Sequence, residues 1–161
     1  MRRFFLTTTV LMSLLTLLLS TAHAQNSARN PSVYNLQNQM ALKGFDPVAV
    51  FPEGGGTPTP GKAELRLDYM GVVYLFARAE NLDLFVQNPD KYEPTYGGWC
   101  AYAMASGTKV DIQPQLFTLH GNRAHYFVAQ RAKQNFDRDV RGHEERADQF
   151  WKQISGEDPR F

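Results

Sequence analysis

The sequence predicts a small single α+β domain, and three observations carry that expectation. Two runs have the alternation and turn chemistry of β-hairpins, a stretch of helical apolar spacing follows each, and the last thirty or so residues read as an amphipathic helical tail. The chain has 161 residues, and its first 24 have the form of a removable segment, which leaves 137 for folding. That is enough for one domain with a real core and too few for two comfortable ones.

The elements follow in order. Met1-Arg2-Arg3 precedes a mostly apolar stretch from Phe4 to Leu19, closed by Ala22-His23-Ala24. A charged start, an apolar middle and an A-x-A end form an export signal cleaved after Ala24, so the mature chain is expected in the periplasm or outside the cell. About 16 apolar residues fall short of the roughly 20 that span a bilayer, and no basic flank follows, so no stable membrane insertion is expected after cleavage. Residues 25–38 are rich in Asn, Gln and Ser and read as a flexible lead-in. The domain proper is placed at 39–154, with 155–161 as a C-terminal end.

Pro52 to Gly61 packs four glycines and three prolines into ten residues and must be a loop. Glu64 to Ala77 reads as a hairpin turning at Met70-Gly71, with Leu65, Leu67, Tyr69, Val72, Tyr74 and Phe76 on the core face. Ala79 to Gln87 carries Leu82, Phe85 and Val86 at helical spacing and ends at Asn88-Pro89. Trp99 to Ser106 is expected as a short helix stopped by Gly107. A second hairpin, Leu116 to Val128, turns at Gly121-Asn122; its register puts Thr118, His120, Arg123 and His125 on the side facing away from the main core. From Gln130 onward, Ala132, Phe136, Val140, Ala147, Phe150, Trp151 and Ile154 recur at helical intervals, with a break expected near Gly142. No internal repeat is visible.

Charge and cysteine usage narrow the function classes. Arg2 and Arg3 leave with the signal, so 15 of the 17 basic residues remain against 16 acidic ones. A balance near zero gives no electrostatic reason for a nucleic-acid or anionic-membrane partner. One cysteine cannot close a loop within its own chain, and none stands at the cleavage site for lipid attachment.

Few residues can carry chemistry. Cys100 follows two glycines at the start of the short helix, where unpaired amides favour a thiolate; a metal ligand or a nucleophile would suit that place. The plainer alternative is a small buried hydrophobe among Tyr96, Trp99 and Tyr102, which are also the candidates for a pocket wall. Asp46 is a candidate hard ligand or base, or simply the Asp-Pro start of a turn with its carboxylate on nearby amides. His120 and His125 lie diagonally across the second hairpin within reach of one metal ion, although two histidines alone more often mark a solvated face. His143-Glu144-Glu145 lacks the second histidine of H-E-x-x-H, so a zinc-hydrolase reading fails.

Three runs stand in order: Gly44-Phe45-Asp46-Pro47-Val48-Ala49-Val50-Phe51, the hairpin-helix stretch ending Asn88-Pro89-Asp90-Lys91-Tyr92, and Tyr96-Gly97-Gly98-Trp99-Cys100-Ala101-Tyr102. Together they resemble the exported YHS-domain proteins, closely from Leu42 to Met104 and more loosely beyond. The resemblance implies a small α+β domain and, for the wider group, an association with heavy-metal handling. The metal-associated branch looks like D-P-V-C followed by F-C-S-x-x-C; the corresponding positions here are Ala49, Ala77 and Asn81, so those soft ligands do not carry over.

The function expected first is therefore a non-enzymatic binding module for a small ligand or a metal ion such as copper or zinc, anchored by Cys100. One cysteine with Asp46 and a histidine would make an open, weak site, since a closed one takes about four ligands. The alternatives are a thiol enzyme with Cys100 as nucleophile, which needs a base within hydrogen-bond reach, and a structural or interaction domain with Cys100 buried.

Overall fold

The computed structural model describes residues 29–160; the expected export signal and residues 25–28 lie outside the described residues. The fold is a mixed α+β domain built on two antiparallel two-stranded sheets. No helix among the described residues is long and apolar enough to cross a membrane.

The first hairpin joins β1 (Lys62–Tyr69) to β2 (Val72–Phe76). Met70 and Gly71 make its turn, both at positive φ, so Met70 holds a left-handed conformation that a primed hairpin turn requires. Strand β2 is buried along most of its length: Val72, Val73, Tyr74 and Phe76 are all in the core. Val73 is covered because Met40 bridges to it in parallel, adding a third stretch of backbone beside β2. Helix α1 (Ala79–Gln87) follows, burying Phe85 against Phe76 and Tyr74, with ring centroids 5.4 and 4.7 Å apart. Asn88 ends it, and Pro89, which can only open a helix, starts the one-turn α2 (Pro89–Tyr92).

The second hairpin, β3 (Gln113–His120) and β4 (Arg123–Phe127), turns at Gly121-Asn122 as its sequence predicts. Between the hairpins lies the short helix α3 (Ala101–Met104), and after them come α4 (Gln130–Asp137) and α5 (Val140–Ser155). The break in the C-terminal helix falls at Asp139, not near Gly142. Asp139 leaves the helical region (φ −152°, ψ 69°) and accepts from the Gly142 amide at 3.1 Å, so Gly142 belongs to the first turn of α5 and the aspartate is its cap.

The structure contains a repeat that the sequence hides. Every paired position in the second hairpin is numbered 51 above its counterpart in the first, including the same register shift between Lys62/Arg66 and Gln113/Phe117. The correspondence continues into the helices. Asn88 (φ −149°, ψ 72°) matches Asp139 (φ −152°, ψ 69°) at the two breaks. It also reaches upstream, where the left-handed run Leu42-Lys43-Gly44 matches Tyr96-Gly97-Gly98. The amide of Asp46 donates to Thr59 at 2.9 Å, and that of Cys100 to Val110 at 3.0 Å, so the two motif residues occupy corresponding places. Over positions 62–93 and 113–144, only Leu65, Phe76, Phe85 and Glu93 recur unchanged, as Leu116, Phe127, Phe136 and Glu144.

Both ends of the described chain fold back onto the domain. Residues 29–38, expected within a flexible lead-in, instead lie against the domain: Tyr34 is buried beside Trp151, and the Trp99 indole donates to the Val33 carbonyl at 2.7 Å. Beyond α5, Gly156 turns in the left-handed region and Glu157 and Arg160 are buried.

Candidate functional site

Cys100 sits at the entry to α3 and is completely buried, at 0 % exposure. It joins the main core with Ala101, Met104, Tyr126 and Ile112, and its backbone bridges in parallel to Tyr126 on β4. Its counterpart Asp46 shows what that place in the repeat does. One carboxylate oxygen of Asp46 accepts from the Val48 amide at 2.8 Å and the Ala49 amide at 3.3 Å. The other accepts from the Ala77 amide at 2.8 Å and the Asn81 side chain at 2.6 Å. This is turn chemistry extended across the unit, tying the Asp-Pro turn to the end of β2 and the start of α1. Four donors leave little capacity on that carboxylate for a ligand.

The histidines are placed differently from the sequence expectation. The register is as expected, but the face carrying His125 is covered by α4 and α5, so His125 is fully buried and only His120 reaches solvent. The His125 ring lies 5.0 Å from that of Phe136 and 5.8 Å from that of Tyr96. His125 Nε2 donates to Glu144 on α5 at 2.7 Å, and His120 Nδ1 lies 3.0 Å from the other oxygen of the same carboxylate. Arg123 stands 3.6 Å from Glu144 and makes its main bonds to Asp148, at 2.6 and 3.2 Å, and to the Tyr96 hydroxyl, at 3.1 Å. Tyr96 in turn donates to Asp148 at 2.8 Å.

Electrostatics in this cluster follow from burial and pairing. Burial drives the His125 imidazole below its ordinary value of 6.5 and the Arg123 charge adds to this, outweighing the support of Glu144. Burial alone would push the Glu144 carboxyl up, but the His125 hydrogen bond and the charges of His125, Arg123 and His120 hold it below its usual range. The Tyr96 phenol is pushed far up by burial, so it serves as a neutral donor.

The first unit carries the matching carboxylate. Glu93, 51 positions before Glu144, accepts from Tyr74, which corresponds to His125, at 3.0 Å. Here the cations come from outside the repeat: Arg29 Nε donates to Glu93 at 2.8 Å and Arg160 Nε at 3.1 Å. Arg29 also pairs with Asp90, and Arg160 with Glu157 at 2.9 Å and with the Tyr34 hydroxyl. Sequence reasoning missed Glu93, Arg29 and Arg160 altogether, and met Glu144 only within His143-Glu144-Glu145. No local pattern marks Glu93, whose arginine partners lie 64 and 67 residues away.

The structure thus brings His120 and His125 together on Glu144 and puts Asp46 and Cys100 in equivalent places of separate units. Among the described residues, no three His, Cys, Asp or Glu side chains form a group able to hold a metal ion. With the Arg123 guanidinium beside Glu144, the histidine cluster already holds a cationic charge and is not read as a metal centre. Tyr96 is buried, while Trp99 and Tyr102 are half-buried; Lys109 lies over the Trp99 ring, and Tyr102 packs against His143. A cleft of about 270 Å³ opens beside the Gly98 turn, lined by Asn35, Leu36, Gln37, Lys43 and Asp111, none of which the sequence singled out. No protein-family model, curated protein or solved structure matches the chain.

Proposed function

We propose that this chain is an exported YHS-type domain acting as a non-catalytic interaction module, with Cys100 serving as a core residue. The observation that carries this reading is the burial of Cys100 in the place that Asp46 fills, as a structural tie, in the first unit. The resemblance to YHS proteins rests on the three ordered motifs, and export on the N-terminal run ending Ala22-His23-Ala24. Binding of copper, zinc or a small ligand through Cys100 would require the core around α3 to open. A thiol enzyme would need a free base beside the sulfur, whereas His125 and His120 are both engaged by Glu144 and Asp46 is saturated by its four donors.

Labelling of the single thiol tests the reading. In native protein Cys100 is expected to react with iodoacetamide at least about a hundredfold more slowly than in denatured protein, because modification must await opening of the core. Zinc and copper(I) titrations are expected to give the same affinity for wild type and Cys100→Ser. Fast native labelling, or metal binding lost specifically in Cys100→Ser, would return Cys100 to the role of ligand or nucleophile.

A further inference from the structure

We propose that the second unit is closed by a pH-sensitive clasp, in which His125 on β4 and His120 on β3 hold Glu144 on α5, and that acidification loosens α5 from this hairpin while the first unit stays closed.

The clasp joins three elements through one carboxylate. His125 gives Nε2–H to Glu144, while its Nδ1 is buried with no hydrogen-bond partner among the described residues. A neutral ring leaves one uncharged acceptor unpaired there; a protonated ring must place a second N–H of a charged group there with nothing among the described residues to receive it, which costs more. If α5 lifts, water reaches both nitrogens. The proton therefore binds the open form more tightly than the closed form, and by linkage acid favours opening.

The groups around His125 set the balance. Glu144 and Asp148 on α5 favour the proton, and Arg123 on the same strand opposes it. Tyr96 lies against the ring from the turn before α3 and is neutral. Thr118, directly opposite on β3, is tied to Lys133 and Asp137 of α4. Phe136 of α4 covers the ring and separates it from His143 on α5. Burial is the largest influence, and its direction agrees with the orphaned nitrogen: the closed state resists the proton. The sign follows: closure is fully favoured above the ordinary histidine value of 6.5 and weakens as pH falls below it. Glu144, held below its usual range, extends the same trend below the ordinary carboxyl value of 4.5, where the open form takes up its proton before the closed form does.

The first unit is the internal control. Its counterpart of His125 is Tyr74, a phenol that burial keeps neutral throughout this range, and its carboxylate is held by two guanidinium groups.

Hydrogen exchange on the full mature chain, corrected for the pH dependence of intrinsic exchange, tests the clasp. Protection of α5 amides is expected to fall by up to about fivefold from pH 6.5 to 5.5, the limit for one proton taken up by an open-form histidine of ordinary value 6.5, with protection of α1 unchanged. His125→Tyr, which gives the second unit the residue of the first, is expected to remove the fall. Equal loss of protection in both units, no loss in α5, or a loss that persists in His125→Tyr overturns the proposal. If that variant does not fold, NMR titration of the wild-type rings decides: a His125 imidazole that titrates at or above 6.5 overturns it as well.

Discussion

The two units share a backbone and a buried carboxylate, and they neutralise that carboxylate by different means. Glu93 takes arginines delivered by the two ends of the described chain, Arg29 and Arg160. Glu144 takes histidines and an arginine from its own hairpin. A carboxylate at this position ties hairpin to helix in each unit, and the choice of partners decides what else depends on the tie. In the first unit it fastens the segments flanking the repeat, and in the second it makes the closure answer to pH.

The largest expected difference comes from neutralising each carboxylate in turn. Glu93→Gln leaves Arg29 and Arg160, whose side chains are almost wholly buried, short of their shared counter-charge. Breaking a buried pair in this way costs about 3–5 kcal/mol. Glu144→Gln is expected to cost about 1–2 kcal/mol, because Arg123 keeps Asp148 and Gln still accepts from His125. Urea denaturation at neutral pH measures both; equal costs would mean that the flanking segments contribute nothing through Glu93.

The next comparison concerns the shared place of Asp46 and Cys100. Asp46→Ala strands the Val48 and Ala77 amides and the Asn81 side-chain amide, while the Ala49 amide keeps the Asp46 carbonyl, for an expected loss of about 3 kcal/mol at roughly 1–3 for each unsatisfied group with little additivity. Cys100→Ala removes one buried sulfur and leaves a small void, an expected loss of about 1–2 kcal/mol. If Cys100→Ala proves the more damaging, the thiol does more in the second unit than fill space.

The same comparison explains what the sequence disclosed. Both hairpins were legible because alternation and a two-residue turn fix the register locally, as at Met70-Gly71 and Gly121-Asn122. Register does not say which face is covered. His125 lies on the expected side of β4, but α4 and α5 pack over that side, so a position that reads as solvated is core. The repeat was illegible because a hairpin-helix unit tolerates almost any residue of suitable size: Tyr74 and His125 both reach the same carboxylate, and Val72 corresponds to Arg123. The place of Asp46 was legible as turn chemistry. That of Cys100 was not, because its matching residue is a carboxylate.

The smallest expected effect lies where the two left-handed turns differ. Gly97 has to be glycine: it sits at φ 58°, and a Cβ there would lie 2.8 Å from the Trp151 ring and 2.9 Å from that of Tyr34. Lys43 holds the corresponding position at φ 54° as an exposed residue, paired with Asp111 at 2.6 Å across the cleft. Lys43→Gly relieves about 1–2 kcal/mol of left-handed strain. Against that stand the greater unfolded freedom of glycine, about 0.5–1 kcal/mol, and the loss of a half-exposed ion pair, about 0–1 kcal/mol. These contributions offset, so the variant is expected to match wild type within about 0.5 kcal/mol in urea denaturation. A loss well beyond 1 kcal/mol would show that the Lys43 and Asp111 pair, which is also bonded to Asn35 of the N-terminal segment, holds that segment down more firmly than an ordinary surface pair does.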